Sequence, residues 1–153
     1  MNIKRLILFL IINFGALGLG GLFTSSGVSS DWYQNMNQAP WTPPGWVFGF
    51  AWTTIMICYS IFMTLAWEKL TKRKKFILLF VVQWILNVGW NPSFFYMHEV
   101  LFGLVIISSL TVLIAYIFYS YKKNLNKLVY FLLPYLIWLC IATSLNSYVL
   151  VMN

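Results

Sequence analysis

The chain has 153 residues, of which 61% are hydrophobic, 20% aromatic and 8% charged, and its ten basic and three acidic side chains leave a net charge of +7. A soluble domain carries nearer ~25% charged residues, so the composition excludes an ordinary soluble protein and reads as a polytopic membrane protein. Cys58 and Cys140 stand far apart inside apolar segments without metal-ligand spacing, and read as small buried hydrophobes rather than as a disulfide or metal site.

Lys4 and Arg5 precede an apolar run from about Leu6 to Phe23. A basic start, an apolar core and Ala16-Leu17-Gly18 imitate a signal peptide. The run of roughly eighteen residues is nonetheless long enough to cross most of a bilayer core, and it is expected to be a retained first span. Gly15, Gly18, Gly20 and Gly21 leave a low-relief surface on it, suited to close approach by another helix or a flat ligand. Thr24–Ser30 are polar and turn-forming.

Asp31–Trp52 then reads DWYQNMNQAPWTPPGWVFGFAW, too aromatic for an inert linker. Pro40, Pro43 and Pro44 fix φ, remove donors and push each preceding residue out of the helical region. Asp31–Pro43 is therefore expected to be a stiff, irregular segment, with a helix beginning at about Pro44 or Gly45. Further apolar segments cover about 46–67, 76–97, 100–121 and 128–152. With the first, about 6–23, they predict an all-α membrane protein, a bundle of five transmembrane helices in one domain over 1–153, with a lid loop at about 24–43.

These spans sort the charges. All ten basic residues, Lys4, Arg5, Lys69, Lys72, Arg73, Lys74, Lys75, Lys122, Lys123 and Lys127, fall on one side. The positive-inside rule assigns that side, with the N-terminus, to the cytoplasm. Asp31, His98 and Glu99 lie opposite, with the Asp31–Trp52 stretch and the C-terminus. The basic runs are topology signals and lipid-headgroup contacts rather than a nucleic-acid surface.

No aspartate, glutamate, lysine, arginine or histidine falls near the middle of a span, which counts against ion-coupled pumping. No Ser/His/Asp set, paired carboxylates or metal-ligand cluster is present, so hydrolytic and metal-assisted chemistry have no visible machinery. His98 beside Glu99 reads as a solvated turn residue. The spans instead carry uncharged polar and aromatic residues at helical spacing: Trp52, Met56, Tyr59 and Met63; Gln83, Trp84, Asn87 and Asn91; Pro134, Tyr135, Trp138, Ala142, Leu145 and Asn146. Helix-to-helix hydrogen bonds of about 0.6 kcal/mol each would account for many of them, and interfacial anchoring for Trp46 and Trp67. Trp84 and Trp138 sit well inside their spans and fit a pocket lined by indoles and amides, open to the outer side. Its expected guest is apolar, flat and aromatic.

WYQNMNQAPWTPPGWVFGFAW resembles the W-Y-x-x-L-x-K-P-x-W-x-P-P signature of the tryptophan-rich sensory protein, or translocator protein (peripheral benzodiazepine receptor), family. NVGWNPSFF (87–95) is similar to that family's N-x-x-W-x-P-x-F-F, and PYLIWLCIATSLN (134–146) to its P-Y-x-x-W-x-x-x-A-x-x-L-N. The resemblance spans essentially the whole chain and implies a five-helix bundle. It implies a receptor for protoporphyrin-like porphyrins and for isoquinoline carboxamide or benzodiazepine-type ligands, sensory or regulatory in tetrapyrrole metabolism.

The implied pocket residues are Trp52, Asn87, Trp138 and Ala142, with Tyr33, Pro40, Trp41 and Pro44 in the loop that closes it. The alternatives are light- and oxygen-dependent porphyrin degradation, for which oxidisable Trp52 and Trp138 are the candidate residues, and translocation of the ligand, for which repeats or a coupling charge are lacking. No cofactor is implied beyond porphyrin as ligand or substrate. Gln38 stands where lysine is common, removing a charge from the lid. The ending LNSYVLVMN (145–153) lacks the cation that the animal cholesterol pattern places after its tyrosine, so steroid binding is not expected. Short plain termini point to a bacterial member. The charge asymmetry argues for an inner membrane, while the resemblance leaves an outer membrane open. A homodimer is expected by analogy, with Gly45-x-x-x-Gly49 packing within the bundle or between protomers.

Overall fold

The computed structural model describes all 153 residues and is helical almost throughout. Its elements are α1 (Ile3–Val28), a single turn α2 (Asp31–Gln34), α3 (Gly45–Lys69), α4 (Lys74–Asn91) running into a π-helical turn (Pro92–Tyr96), α5 (Val100–Leu125), a 3₁₀ turn (Asn126–Leu132) and α6 (Leu133–Met152). The five long helices close into a ring in which α1 packs on α3, α3 on α6, α6 on α5, α5 on α4 and α4 on α1. Ile3–Val28, Gly45–Lys69 and Lys74–Tyr96 are each long and apolar enough to cross a membrane, as is Val100–Met152 taken as one stretch. That last stretch is divided by Asn126, whose φ of 50° turns the chain before Pro134 opens α6.

α1 continues through Thr24–Val28, where the polar composition predicts a turn. The hydroxyls there fold back on the helix: Thr24 Oγ1 donates to the Gly20 carbonyl at 3.1 Å, and Ser25 Oγ and Ser26 Oγ to that of Leu22 at 3.3 and 3.2 Å. Such self-bonded hydroxyls add no unpaired polar group, so the helix extends over them. The lid also departs from irregular chain at Asp31–Gln34. There Ser30 Oγ accepts from the Tyr33 amide at 3.3 Å, and Asp31 sits where the helix dipole favours an acid.

Phe9, Met56, Tyr59, Phe62, Phe80, Leu110, Ile114 and Leu139 belong to one continuous core between the helices. At the basic end Glu68 accepts from the Asn2 amide at 2.9 Å and pairs with Arg5 at 3.6 Å, fastening the start of α1 to the end of α3. Arg5 and Arg73 both lie over the Trp67 ring, at 5.6 and 5.1 Å from its centre. In mid-bundle Asn13 Nδ2 on α1 donates to Ser60 Oγ on α3 at 2.8 Å, and both residues are buried.

Glycine determines how closely α1 approaches α4. A Cβ on Gly20 would stand 2.5 Å from Asn91 Nδ2, and one on Gly27 would stand 2.5 Å from the Cβ of Phe95. Gly15, Gly18 and Gly21 face away, with nothing within 4 Å of the same position. Gly45 and Gly49 are equally open. Their spacing therefore serves no packing inside the bundle.

Candidate functional site

The end of the bundle opposite the basic residues is roofed by Asp31–Pro44. α2 rests on the π turn: the Trp32 ring meets Phe94 edge-on at 5.6 Å and Tyr33 leans on Phe95 at 5.6 Å. Partial burial raises the Tyr33 phenol above its ordinary pKa of 10.0, so it stays neutral and able to donate. Further along, the Asn37 amide donates to Asn153 Oδ1 at 2.8 Å and Asn37 Nδ2 to the Met152 carbonyl at 3.0 Å. Trp41 Nε1 donates to Ser144 Oγ at 3.2 Å and its ring meets Tyr148 edge-on at 5.3 Å. The Thr42 amide closes a turn around Pro40 onto the Ala39 carbonyl at 2.9 Å, and Pro44, with extended ψ of 148°, starts α3. The lid is thus pinned to the π turn at one end and α6 at the other.

Beneath it lies a cavity of about 60 Å³. Tyr33, Met36, Gln38 and Thr42 form its roof, Phe48 and Trp90 two of its walls, and Phe94, Phe95, Ala142, Leu145, Asn146 and Val149 the rest. The π turn aims two adjacent rings at this space. Pro92 has no N–H to give, Ser93 Oγ donates to the Gly89 carbonyl at 2.8 Å, and the Met97 amide closes onto the Pro92 carbonyl at 2.9 Å. Trp90 stacks on Phe94 at 5.4 Å, and its Nε1 donates to Asn146 Oδ1 at 3.1 Å. Asn146 Nδ2 in turn donates to the Val100 carbonyl at 3.0 Å. Trp90 and Asn146 therefore lock α4, α5 and α6 together, with their polar groups already used.

One helical turn deeper the polar groups are not used. Asn87, three residues before Trp90, and Trp138, four before Ala142, lie roughly 4.5 and 6 Å below those cavity residues along their helices. They are 7% and 5% exposed, and neither Asn87 Nδ2 nor Trp138 Nε1 has a hydrogen-bond partner. The Trp138 ring meets the cavity-lining Phe48 edge-on at 5.1 Å. Deeper still, Gln83 Nε2 donates to the Tyr135 hydroxyl at 2.8 Å, while Gln83 Oε1 and the Tyr59 hydroxyl are unpartnered. Buried polar atoms are nearly always paired, so two orphan donors under one apolar cavity need a reason.

The structure brings some of the sequence-derived site residues together and separates others. Tyr33 and Ala142 line the cavity, and Asn87 and Trp138 sit beneath it. Trp52 is half-buried lower on α3, edge-on to Tyr135 at 6.1 Å. Pro40 and Pro44 shape the lid, and Trp41 fastens its outer surface with 52% of the residue exposed. Trp84 turns to α1, donating from Nε1 to the Ile12 carbonyl at 3.2 Å. Asn91 also faces α1, its Oδ1 2.7 Å from Thr24 Oγ1 and sharing that hydroxyl's one proton with the Gly20 carbonyl. Helical spacing on α4 alone does not separate these two from Asn87. Phe48, Trp90, Phe94 and Phe95 are cavity residues outside that reasoning. Trp90 follows Asn87 by three positions and Phe48 precedes Trp52 by four, a signal hidden by the abundance of aromatic residues everywhere.

Comparison with known proteins places the chain among similar sequences. The Tryptophan-rich protein TspO of Archaeoglobus fulgidus is 32% identical over 158 aligned positions, covering 100% of this chain and 99% of the relative. That of Chlorobaculum tepidum is 31% identical with the same coverage. The human Translocator protein is 30% identical, over 75% of this chain and 70% of its own length. Family membership and the apolar helices support an integral membrane protein. The profile of the TspO/MBR family matches residues 7–152, and the chain belongs to that family.

Proposed function

We propose that this protein is a membrane receptor for protoporphyrin-like tetrapyrroles, with isoquinoline carboxamide and benzodiazepine-type molecules as ligands of the same site. The bundle spans the bilayer with its basic end in the cytoplasm and its lid outside, as the positive-inside rule orients it. The observation that carries the reading is the pair of buried, unpartnered donors, Asn87 Nδ2 and Trp138 Nε1, under an aromatic cavity closed by a lid. Aromatic walls suit a flat ring system, and the two donors suit a carbonyl, carboxylate or pyrrole nitrogen inserted among them. A cavity of about 60 Å³ is far below the ~300–1,000 Å³ of sites for such ligands, so the bound state has the lid displaced and Phe94 and Phe95 moved apart.

Titration of the purified protein with protoporphyrin IX, followed by tryptophan fluorescence, tests the proposal. Saturable quenching is expected, weakened at least tenfold in the Asn87→Ala, Trp138→Ala double variant. Quenching that never saturates would remove the receptor reading. Unchanged affinity in the double variant would remove this assignment of the site.

A further inference from the structure

On the outer surface of the ring, between α4 and α5 and well away from the lid site, a groove of about 810 Å³ is lined by Val82 and Leu86 on one side and by Leu104, Val112, Leu113 and Tyr116 among others on the opposite side. Its wall is apolar except at Ser108 and Ser109, and the Ser109 hydroxyl folds back onto the Val105 carbonyl at 2.7 Å. From Leu104 to Tyr116 the helix advances ~18 Å, close to the ~15 Å depth of one leaflet's hydrocarbon.

The end nearer the basic side is polar and cationic. Lys75, in the first turn of α4, donates from Nζ to the Tyr116 hydroxyl, with the ammonium 5.1 Å from the centre of that ring. No carboxylate pairs with Lys75, since both ion pairs of the chain use Glu68. Two of its three N–H donors remain free, and Lys74 precedes it. A leaflet-deep apolar channel that ends on an unpaired ammonium is complementary to one amphiphile: an acyl chain carrying an anionic head.

We propose that this groove is a specific site for an anionic phospholipid of the cytoplasmic leaflet, with the phosphate on Lys75 and Tyr116 and one acyl chain along Val82, Leu86 and Val112. The site rests on the membrane orientation proposed above and is independent of what the lid site binds. It differs from diffuse attraction of lipids to the basic loops because it depends on one lysine and on the shape of the groove.

The test is native mass spectrometry of the detergent-solubilised full chain titrated with phosphatidylglycerol, with phosphatidylcholine of the same chains for comparison. One saturating phosphatidylglycerol adduct is expected, and phosphatidylcholine weaker. One lysine near an anionic headgroup is worth about 1 kcal/mol, so Lys75→Gln should weaken the adduct about fivefold. Ser108→Trp, which fills the groove, should abolish it, and Lys127→Gln, with the same loss of charge in the 3₁₀ turn after α5, should leave it intact. Equal weakening by Lys75→Gln and Lys127→Gln would overturn the site in favour of diffuse charge. Equal retention of phosphatidylcholine, or of glycerophosphoglycerol without chains, would overturn it too. So would a Ser108→Trp variant that loses a dimer and keeps its lipid, because the groove would then belong to a second copy of the chain.

Discussion

The imidazole of His98 lies flat on the indole of Trp32, with ring centroids 4.2 Å apart and planes 14° from parallel. His98 is in the short turn before α5 at φ 56°, and Trp32 is in the lid, so this stack joins the lid to the end of α4. An aromatic pair of this kind contributes about 1 kcal/mol, roughly a fivefold change in an equilibrium. His98→Ala and His98→Gly should both speed porphyrin uptake several-fold in stopped-flow fluorescence. The glycine variant separates causes, because it loses the stack while suiting the left-handed backbone. If uptake in the glycine variant matches the parent, the stack does not hold the lid.

The orphan donors predict a trade between stability and affinity. An unpaired buried polar group costs about 1–3 kcal/mol. Asn87→Leu and Trp138→Phe each delete a buried donor that has no partner in the closed form. Thermal unfolding without ligand should therefore be unchanged or shifted upward. Affinity for protoporphyrin IX should fall about tenfold or more in each, the loss of one well-made hydrogen bond. A clear loss of ligand-free stability would assign the two side chains to packing.

The α1–α4 contact makes a prediction about paired glycines. Gly27→Ala places a methyl 2.5 Å from Phe95, and overpacking of that kind costs about 1–3 kcal/mol. Gly21→Ala meets nothing within 4 Å and should gain up to about 1 kcal/mol from helix propensity. Unfolding in detergent, monitored by circular dichroism, should move the two variants in opposite directions. Gly27→Ala should also alter ligand binding, since Phe95 lines the cavity.

Ser60→Ala leaves Asn13 Nδ2 without its buried acceptor across α1 and α3. Measured hydrogen bonds between membrane helices average about 0.6 kcal/mol and reach about 1.7. A loss within that range is expected, with porphyrin binding unaffected because the pair is absent from the cavity lining. The double variant Ser60→Ala, Asn13→Leu should recover most of the loss. A double variant no better than the single would show that the cost is steric.

The five long helices are legible in the sequence because apolar run length and the one-sided placement of Lys and Arg are strong, independent signals. Local hydrogen bonding is less so. The hydroxyls of Thr24 and Ser26 look turn-forming in composition, yet their bonds to preceding carbonyls extend α1. The π turn at Pro92–Tyr96 has no periodicity of its own, and it is what turns Phe94 and Phe95 toward the lid. Facing residues on α4 divide by partner rather than by spacing: Asn87 is buried with its Nδ2 unpartnered, while Trp84 and Asn91 bond to α1. Cavity size is the least legible feature. It depends on how the lid docks on α4 and α6, through contacts as distant in sequence as Asn37 with Asn153.

Phe94 and Phe95 are at once walls of the cavity and the surface on which Trp32 and Tyr33 stand. A guest that spreads these rings to make room also removes the footing of the roof above it. For the proposed ligand, capacity and residence time are then coupled: a substitution at Phe94 or Phe95 that enlarges the chamber should shorten the stay in it. Selection for larger ligands at this site would have to rebuild the footing of the lid along with the walls.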